Sequence, residues 1–331
     1  MRIWVTGQQG ESEFLENVEG PWKLFKDQIS SAGNNIVSGD INEPFDTLIA
    51  NYHSEKILNL ANFFSVPKFR RVLIIWEPSI VDNQRYIKKN LNQYGHIYAP
   101  SIDWANKVNG KKFNWPQDII IKNDSKIWQD WKLRKKKIII IQGNKFSARR
   151  GELYSLRREI ISKLSEVDLF GTNWNKGFGF DFFHWSSSFI NTNLKDFSFK
   201  SLRKIGKTHK NYCGEVENKH ELLSKYKIAI VIENSPDFVS EKLFDAVRSG
   251  CVTIYVGPNL IKYGIPQGSS IETIANSASL VRTTREILEM DDSTLFEIAI
   301  SQRTLLSSVS DEWENNKVMK DLAIDILHDL E

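Results

Sequence analysis

Short apolar runs alternate along the chain with stretches whose apolar residues recur at helical spacing. In the first half this pattern predicts strands and then helices, the strands at residues 2–6, 35–38, 47–50, 71–76 and 96–99 and the helices at 21–32, 55–64 and 84–94. Strands that read as continuous Val, Ile and Leu runs between helices indicate a parallel sheet covered on both faces.

The alternation of strands and helices begins again after residues 103–130, where the hydrophobic pattern is less regular. Strands are predicted at 137–142, 167–170, 228–233 and 251–256, and helices at 152–164, 219–226, 241–249 and 310–330. We therefore expect an α/β protein of two Rossmann-like, doubly wound domains facing a cleft, with residues 1–130 and 131–331 as the domains. The tail helix could pack back on the first domain, and the basic run 132–137 is expected to be a solvated loop.

Composition narrows the class of protein. Hydrophobic residues make up 41% and charged residues 26% of 331 residues, which excludes a disordered chain. A net charge of +3 is too small to indicate nucleic acid as a partner. No apolar run approaches a membrane span and no secretory signal is visible, so we expect no transmembrane segment and a cytoplasmic protein, with a peripheral membrane position left open.

A basic loop lies where an open α/β sheet binds its ligands. Lys145, Arg149 and Arg150 fall between the strand at 137–142 and the helix at 152–164, at the carboxyl end of that strand. The helix that follows offers unpaired backbone N–H groups to an anion. Arg157 lies about two turns further along. We expect at least one of these arginines to face a phosphate group.

The segment 226–258 carries most of the chemistry. A buried strand ends in Glu233, Asn234 and Ser235, and a helix begins after Ser240. Helix capping explains Ser240 and part of Glu241, because an N-cap hydroxyl and an early carboxylate both stabilise a helix start. Capping does not explain Lys242, a cation in the first turn. An anionic ligand at this helix start would explain it.

The stretch ENSPDFVSEKLFDAVRSGCVTIYVGP, residues 233–258, resembles the signature of the α-1,3-fucosyltransferases of glycosyltransferase family 10. The residues in matching places are Glu233, Asn234, Ser235, Glu241, Lys242, Ala246, Gly250 and Gly257. The chain departs from the family pattern at three positions, where Phe238, Ser240 and Thr253 replace tyrosine, threonine and proline. The resemblance extends over roughly residues 70–275 and places Arg157 on the family's donor arginine.

This resemblance implies an inverting fucosyltransferase of the GT-B type that moves L-fucose from GDP-fucose to a glycan hydroxyl, with an α-1,3 linkage. The second domain would bind the donor, the first would bind the acceptor, and no cofactor or essential metal would be needed. The donor-binding residues implied are Lys145, Arg149, Arg157, Glu233, Asn234, Ser235, Phe238, Ser240, Glu241 and Lys242.

In the first domain the sequence RRVLIIWEPS places Glu77 at a strand end, fixed by Pro78. By itself this is equally a surface glutamate before a turn, but the resemblance implies a general base. Trp104 is a candidate for stacking on the acceptor sugar. Two other functions stay open, a GT-B glycosyltransferase with another nucleotide sugar and a non-catalytic two-domain sugar-binding protein.

Overall fold

The computed structural model describes residues 1–7, 19–39, 43–81, 86–117, 121, 126–175 and 209–331. Internal contacts divide the chain into two units. Unit 1 consists of residues 1–119 and 311–331, and unit 2 consists of residues 120–310. The division lies earlier in the chain than the 130/131 boundary expected from the sequence, because Trp128 packs edge-on against Phe296 of unit 2.

Each unit contains a six-stranded sheet in which neighbouring strands are parallel. The order is β2-β1-β3-β4-β5-β6 in unit 1 and β12-β11-β10-β7-β8-β9 in unit 2. The strands are β1 (Arg2–Val5), β2 (Asn35–Val37), β3 (Thr47–Ala50), β4 (Arg71–Ile74), β5 (His96–Ala99), β6 (Lys111–Lys112), β7 (Lys135–Ile141), β8 (Val167–Phe170), β9 (Tyr212–Gly214), β10 (Tyr226–Ile232), β11 (Val252–Val256) and β12 (Ile271–Glu272).

Helices follow most of these strands. They are α1 (Pro21–Ser31), α2 (Glu55–Phe63), α3 (Lys88–Leu91), α4 (Ile102–Lys107), α5 (Lys126–Gln129), α6 (Tyr154–Ile161), α7 (Lys219–Leu223), α8 (Glu241–Arg248), α9 (Ser277–Glu289), α10 (Asp292–Ser307) and α11 (Asn315–Leu330). Short 3₁₀ turns lie at Lys68–Arg70, Trp131–Leu133, Leu260–Tyr263 and Ser310–Trp313. Among the described helices, none combines the length and apolarity needed to cross a membrane.

The sheet of unit 1 is buried on both faces because successive strand residues point to opposite sides. One face packs Ile3, Val5 and Ile74 against α1 and α11. The other packs Leu48 and Leu73 against α2. Helix α11 contributes Met319 and Leu322 and further buried residues to the first face, so the C-terminal helix belongs to the core of unit 1.

The sheet of unit 2 has its own core, in which β7, β10 and β11 pack against α6, α9 and α10. Read from β9, its strand order follows the chain positions 3-2-1-4-5-6, the order of a Rossmann fold. The order reverses between β7 and β10. In unit 1 the corresponding reversal lies between β1 and β3. Ligands of such sheets bind beyond the carboxyl ends of the strands at this reversal.

The basic run at residues 132–137 corrects one expectation. Lys135, Lys136 and Lys137 are the first residues of β7 and not a solvated loop. The side chain of Lys137 is paired with Asp168 of β8, and the ammonium of Lys135 lies over the ring of Tyr226. A run of lysines can enter a strand where neighbouring strands supply a carboxylate and an aromatic face.

Candidate functional site

The carboxyl end of β10 is organised around a buried glutamate. Glu233 is 0% exposed and accepts hydrogen bonds from the backbone N–H of Ser240 at 2.9 Å and from its hydroxyl at 2.7 Å. The hydroxyl of Tyr255 in β11 donates to the same carboxylate at 3.3 Å. Burial raises the pKa of Tyr255, and the adjacent Glu233 raises it further, so the phenol remains a donor. The carboxylate of Glu233 thus joins the two ends of the loop 233–240 and stabilises the conformation of the loop at this edge of the sheet.

Helix α8 begins at this loop with a cation that the glutamate holds in place. Ser240 is the N-cap, its hydroxyl accepting from the backbone N–H of Lys242. The ammonium Nζ of Lys242 donates to Ser240 Oγ at 2.7 Å and to Glu233 Oε2 at 3.4 Å, and the side chain is 18% exposed. The carboxylate of Glu241 lies 3.5 Å from Lys219 Nζ. Burial would raise the pKa of Glu241, but Lys242 and Lys219 lower it overall.

Arg157 lies in the interior, where it joins α6 to the end of β10. Its Nη2 donates to the backbone oxygen of Ile232 at 2.7 Å and to Asn234 Oδ1 at 2.8 Å, and the residue is 2% exposed. The guanidinium carbon lies 4.8 Å from the ring centre of Tyr154. Burial lowers the pKa of Arg157, an effect opposed by Tyr154 and Glu233. The backbone oxygen of Asn234 also accepts from Leu153, which ties the two loops together.

The loop between β7 and α6 presents two of its three predicted cations, Lys145 and Arg150, to solvent and buries the third, Arg149. Lys145 is exposed, and its backbone oxygen accepts from Arg158 Nη1 at 2.9 Å. Arg149 is 9% exposed, with its backbone N–H directed at Ser147 Oγ. Lys145 and Arg150 are therefore accessible from solvent, while Arg149 is buried in the loop.

Two predicted donor residues are buried within the loop 233–240. Phe238 is 2% exposed, so its ring packs inside the loop. Ser235 is equally buried, and its hydroxyl has no hydrogen-bond partner within the described part of the chain. Sequence reasoning missed Tyr255 and Gln142 at this edge. Neither belongs to a local motif, since Tyr255 meets Glu233 only through strand pairing and Gln142 is a single amide after β7.

At the carboxyl edge of unit 1 a set of polar contacts fixes the strand ends. Asn51 Nδ2 donates to the backbone oxygen of Thr6 at 2.6 Å, and Trp76 Nε1 donates to Asn51 Oδ1 at 2.8 Å. Glu77 follows Trp76 and is half-buried. The hydroxyl of Tyr86 donates to the Glu77 backbone oxygen at 2.7 Å. The glutamate predicted from the sequence is thus held at the strand end by its main chain.

Trp104 contacts the same tyrosine that binds the main chain of Glu77. Its ring is 4.4 Å from the ring of Tyr86, in an edge-on arrangement, and Lys107 Nζ lies 4.0 Å from its centre. Glu77 and Trp104 thus both contact Tyr86, Glu77 through its backbone oxygen and Trp104 through its ring. A carboxylate can accept a proton from a sugar hydroxyl, and an aromatic ring can stack on a sugar.

Within the residues that the structure describes, no group of three or more His, Cys, Asp or Glu side chains is arranged to hold a metal ion. The charged groups at the edge of unit 2 are instead Lys242 and Lys219 with the carboxylates of Glu233, Glu241 and Asp245. The candidate donor site thus offers hydrogen-bonding groups and charged side chains that are ion-paired with one another.

No protein-family model and no curated protein sequence matches this chain. Its fold is similar to that of Anabaena HepE in complex with UDP-glucose, at 13% identity over 99% of both chains and a TM-score of 0.55. An α-glucosyltransferase in complex with UDP and DNA is similar at 12% identity, covering 99% of this chain and 100% of that chain, with a TM-score of 0.53. The N-terminal domain of Candida albicans trehalose-6-phosphate phosphatase is similar at 12% identity, covering 93% of this chain and 74% of that chain, with a TM-score of 0.51.

These likenesses extend over both parallel sheets, and they define the class of fold. The chain has the two-unit α/β fold of the GT-B glycosyltransferases. At such low identity the likeness concerns architecture alone, and the chemistry has to be argued from the side chains at the two strand edges.

Proposed function

We propose that this protein is a glycosyltransferase that takes its sugar from a nucleotide-sugar donor. The observation that carries the proposal is the edge of unit 2 at which the strand order reverses. There a capped helix start, the ammonium of Lys242 and the buried Glu233 form one connected unit. A helix N-terminus with a neighbouring cation favours a diphosphate.

The donor that the sequence favours is GDP-fucose, through the resemblance of residues 233–258 to the family 10 fucosyltransferases. In this proposal Lys242 stabilises the charge that develops on the leaving diphosphate, while Arg157 supports the loop and adds positive potential from the interior. Glu241, with its carboxylate held ionised by two lysines, accepts hydrogen bonds from ribose or sugar hydroxyls.

The reaction proposed is a single inverting displacement. Glu77 of unit 1 takes the proton from an acceptor hydroxyl, and that oxygen forms a bond with the anomeric carbon of the sugar. The bond from this carbon to the nucleotide diphosphate breaks at the same time, and the diphosphate leaves with the electron pair. Trp104, next to Tyr86 and Glu77, would support the acceptor sugar.

A UDP-sugar donor is the second candidate. It is favoured by two of the similar structures, Anabaena HepE in complex with UDP-glucose and the α-glucosyltransferase in complex with UDP. Phe238 supports it as well, because its buried ring stands where the family 10 signature has a tyrosine.

The test is direct binding followed by turnover. Calorimetry with GDP, UDP, GDP-fucose and UDP-glucose identifies the nucleotide, and incubation of the preferred donor with an array of glycan acceptors identifies the product. Preference for GDP with transfer of fucose is the expected result. Stronger binding of UDP would replace the fucose assignment by the second candidate, and binding of none of the four would overturn the glycosyltransferase proposal.

A further inference from the structure

Two glutamines are buried in unit 2, and they differ in how their amides are satisfied. Gln302 of α10 is 1% exposed, its Oε1 accepting from the backbone N–H of Thr253 at 2.8 Å and its Nε2 donating to the oxygen of the same residue at 3.2 Å. Gln142, directly after β7, is 4% exposed. Neither its Oε1 nor its Nε2 has a hydrogen-bond partner in the described part of the chain.

A buried amide without partners is an exception in a folded protein, because removal from water costs free energy that hydrogen bonds normally offset. Such groups are commonly those that meet a ligand or an ordered water. The backbone of Gln142 is firmly fixed, since its N–H donates to Phe170 and its oxygen accepts from Trp174. The unsatisfied amide is therefore a feature of a rigid strand end.

The position of Gln142 is the place where a Rossmann-type sheet binds its ligand. In the register of β7 and β10, Ile139 lies beside Ala229, so Gln142 lies level with the last residue of β10, Ile232. The loop that follows carries Ser235, whose buried hydroxyl also has no partner among the described residues. Two unsatisfied polar side chains thus follow the two strands between which the order reverses.

A small cavity lies at the same edge. It measures about 20 Å³ and is lined by residues that include Gln142, Lys242 and Asp245. A space of that size holds one water molecule or one polar group of similar size.

We infer that Gln142 is a specificity residue for the transferred sugar, with its amide hydrogen-bonded to a sugar hydroxyl when the donor is bound. The inference rests on the proposed function and extends it. A hydroxyl both donates and accepts, which matches the NH₂ and C=O of an amide. A phosphate only accepts and would leave Oε1 facing an anion. A nucleobase edge carries a donor and an acceptor too, and the experiment separates these two sources.

The experiment compares Gln142→Met with the matched variant Gln302→Met. Calorimetry measures the affinities of GDP, UDP, GDP-fucose and UDP-glucose for both variants and the wild type, and thermal denaturation measures Tm. Gln142→Met breaks no hydrogen bond within the described protein, so its Tm should not fall. Its affinity for the preferred nucleotide sugar should fall about tenfold, with the free nucleotide diphosphate affected less than about threefold.

Gln302→Met should behave in the opposite way. It removes two hydrogen bonds to Thr253, so its Tm should fall while both affinities stay at the wild-type level. Agreement of both variants with these expectations supports the inference, because a merely structural glutamine would give the same pattern at both positions.

Three results overturn the inference while the proposed function stands. They are a Gln142→Met variant that binds the nucleotide sugar as the wild type does, one whose Tm falls as that of Gln302→Met does, and one that loses the free nucleotide diphosphate equally. The third would assign the amide to the nucleobase. A wild-type chain that binds none of the four probes overturns the proposed function, and this inference with it.

Discussion

Glu77 and Glu233 both follow a buried strand, yet their surroundings in the two units differ in kind. Glu233 is fully buried, and its carboxylate accepts hydrogen bonds from Ser240, Tyr255 and Lys242. Glu77 is half-buried, and the hydrogen bond from Tyr86 reaches its main chain. Glu233 stabilises the loop 233–240 from its buried position. Glu77, by contrast, is half-buried, and its main chain is held by Tyr86.

The comparison shows that a glutamate at a strand end is not by itself a sign of catalysis. The residues that follow decide the outcome: a serine N-cap and a lysine within ten residues turn Glu233 into a structural anchor. Pro78 follows Glu77 and directs the chain onward in an extended conformation. Predictions about the two glutamates should therefore separate activity from stability.

The largest effect is expected for Glu77→Gln. This variant keeps the size of the side chain and removes the proposed base, so the transfer rate should fall about 10²–10⁴-fold. Nucleotide affinity and Tm should be unchanged, because the nucleotide site proposed lies in unit 2. Steady-state transfer assays, calorimetry and thermal denaturation check the three quantities.

Glu55→Gln is the matched control, an exposed carboxylate in the first turn of α2 that should leave transfer unchanged. If Glu77→Gln keeps more than about a tenth of the activity, above the range of general-base loss, the base lies elsewhere. Asp103 would then be tested as the base, together with Asp82, which falls outside the described residues.

Glu233→Ala should reverse the pattern of Glu77→Gln by acting first on stability. It leaves the hydroxyls of Ser240 and Tyr255 and the ammonium of Lys242 without their acceptor. Removal of one partner from a buried charged network costs about 3–5 kcal/mol. Urea denaturation measures the free energy of unfolding. Glu221→Ala, at an exposed glutamate of α7, should cost less than about 0.5 kcal/mol, and a similar small loss at Glu233 would contradict its structural role.

Lys242→Ala should weaken binding of the donor by about 1.5–3 kcal/mol, the range for a hydrogen bond to a charged group. Calorimetry with the preferred nucleotide diphosphate measures the change. Lys225→Ala serves as control, since this exposed lysine of unit 2 pairs with Glu221. An unchanged affinity in Lys242→Ala would restrict the lysine to holding Glu233 and Ser240.

Asp329→Asn should change the pH dependence of unit 1 alone. The carboxylate accepts from Tyr98 at 2.5 Å and from Lys111 at 2.6 Å. Burial raises the pKa of Asp329, but Lys111 and Tyr98 lower it overall below the usual 3.8. Its contribution to stability is therefore complete above the unfolded value and lost as pH falls through the lower folded value.

We expect Asp329→Asn to cost about 1 kcal/mol at neutral pH and to lose this difference from the wild type as the solution is acidified below about pH 4. Denaturation followed at several pH values measures the difference. A difference that grows towards acid pH would mean that the folded-state pKa is raised and not lowered.

The smallest effect, close to none, is expected from removal of metal. In the proposed function the ammonium of Lys242 faces the leaving diphosphate and takes the part that a metal ion would otherwise have. EDTA should therefore leave most of the transfer activity. Complete loss that manganese restores would show that the charge on the leaving group is stabilised by a metal ion.

The sequence predicted well those features that depend on neighbouring residues. The parallel strands followed from their apolar runs, and Ser240 as N-cap of α8 followed from the residue types at the helix start. The position of Glu77 at a strand end followed from Pro78 and the preceding run. The roles proposed for these residues in binding and catalysis stay predictions.

Features that depend on contacts between residues far apart in the sequence could not be predicted. The contact between Tyr255 and Glu233 and the unsatisfied state of Gln142 arise from strand order, which no local pattern specifies. The short edge strands β6 and β12 have two residues each, too few for an alternation to be visible. The entry of Lys135–137 into β7 depended on partners in β8 and β10.

The membership of α11 in unit 1 has a consequence for the order of folding during synthesis. All of residues 120–310 leave the ribosome before this helix does, so unit 2 can complete its core while the sheet of unit 1 still lacks Met319 and Leu322 on one face. The first unit to be made is thus the last to be finished. Until α11 docks, α1 alone covers this face of β1 and β4, and the apolar surface left open makes the incomplete unit prone to aggregate.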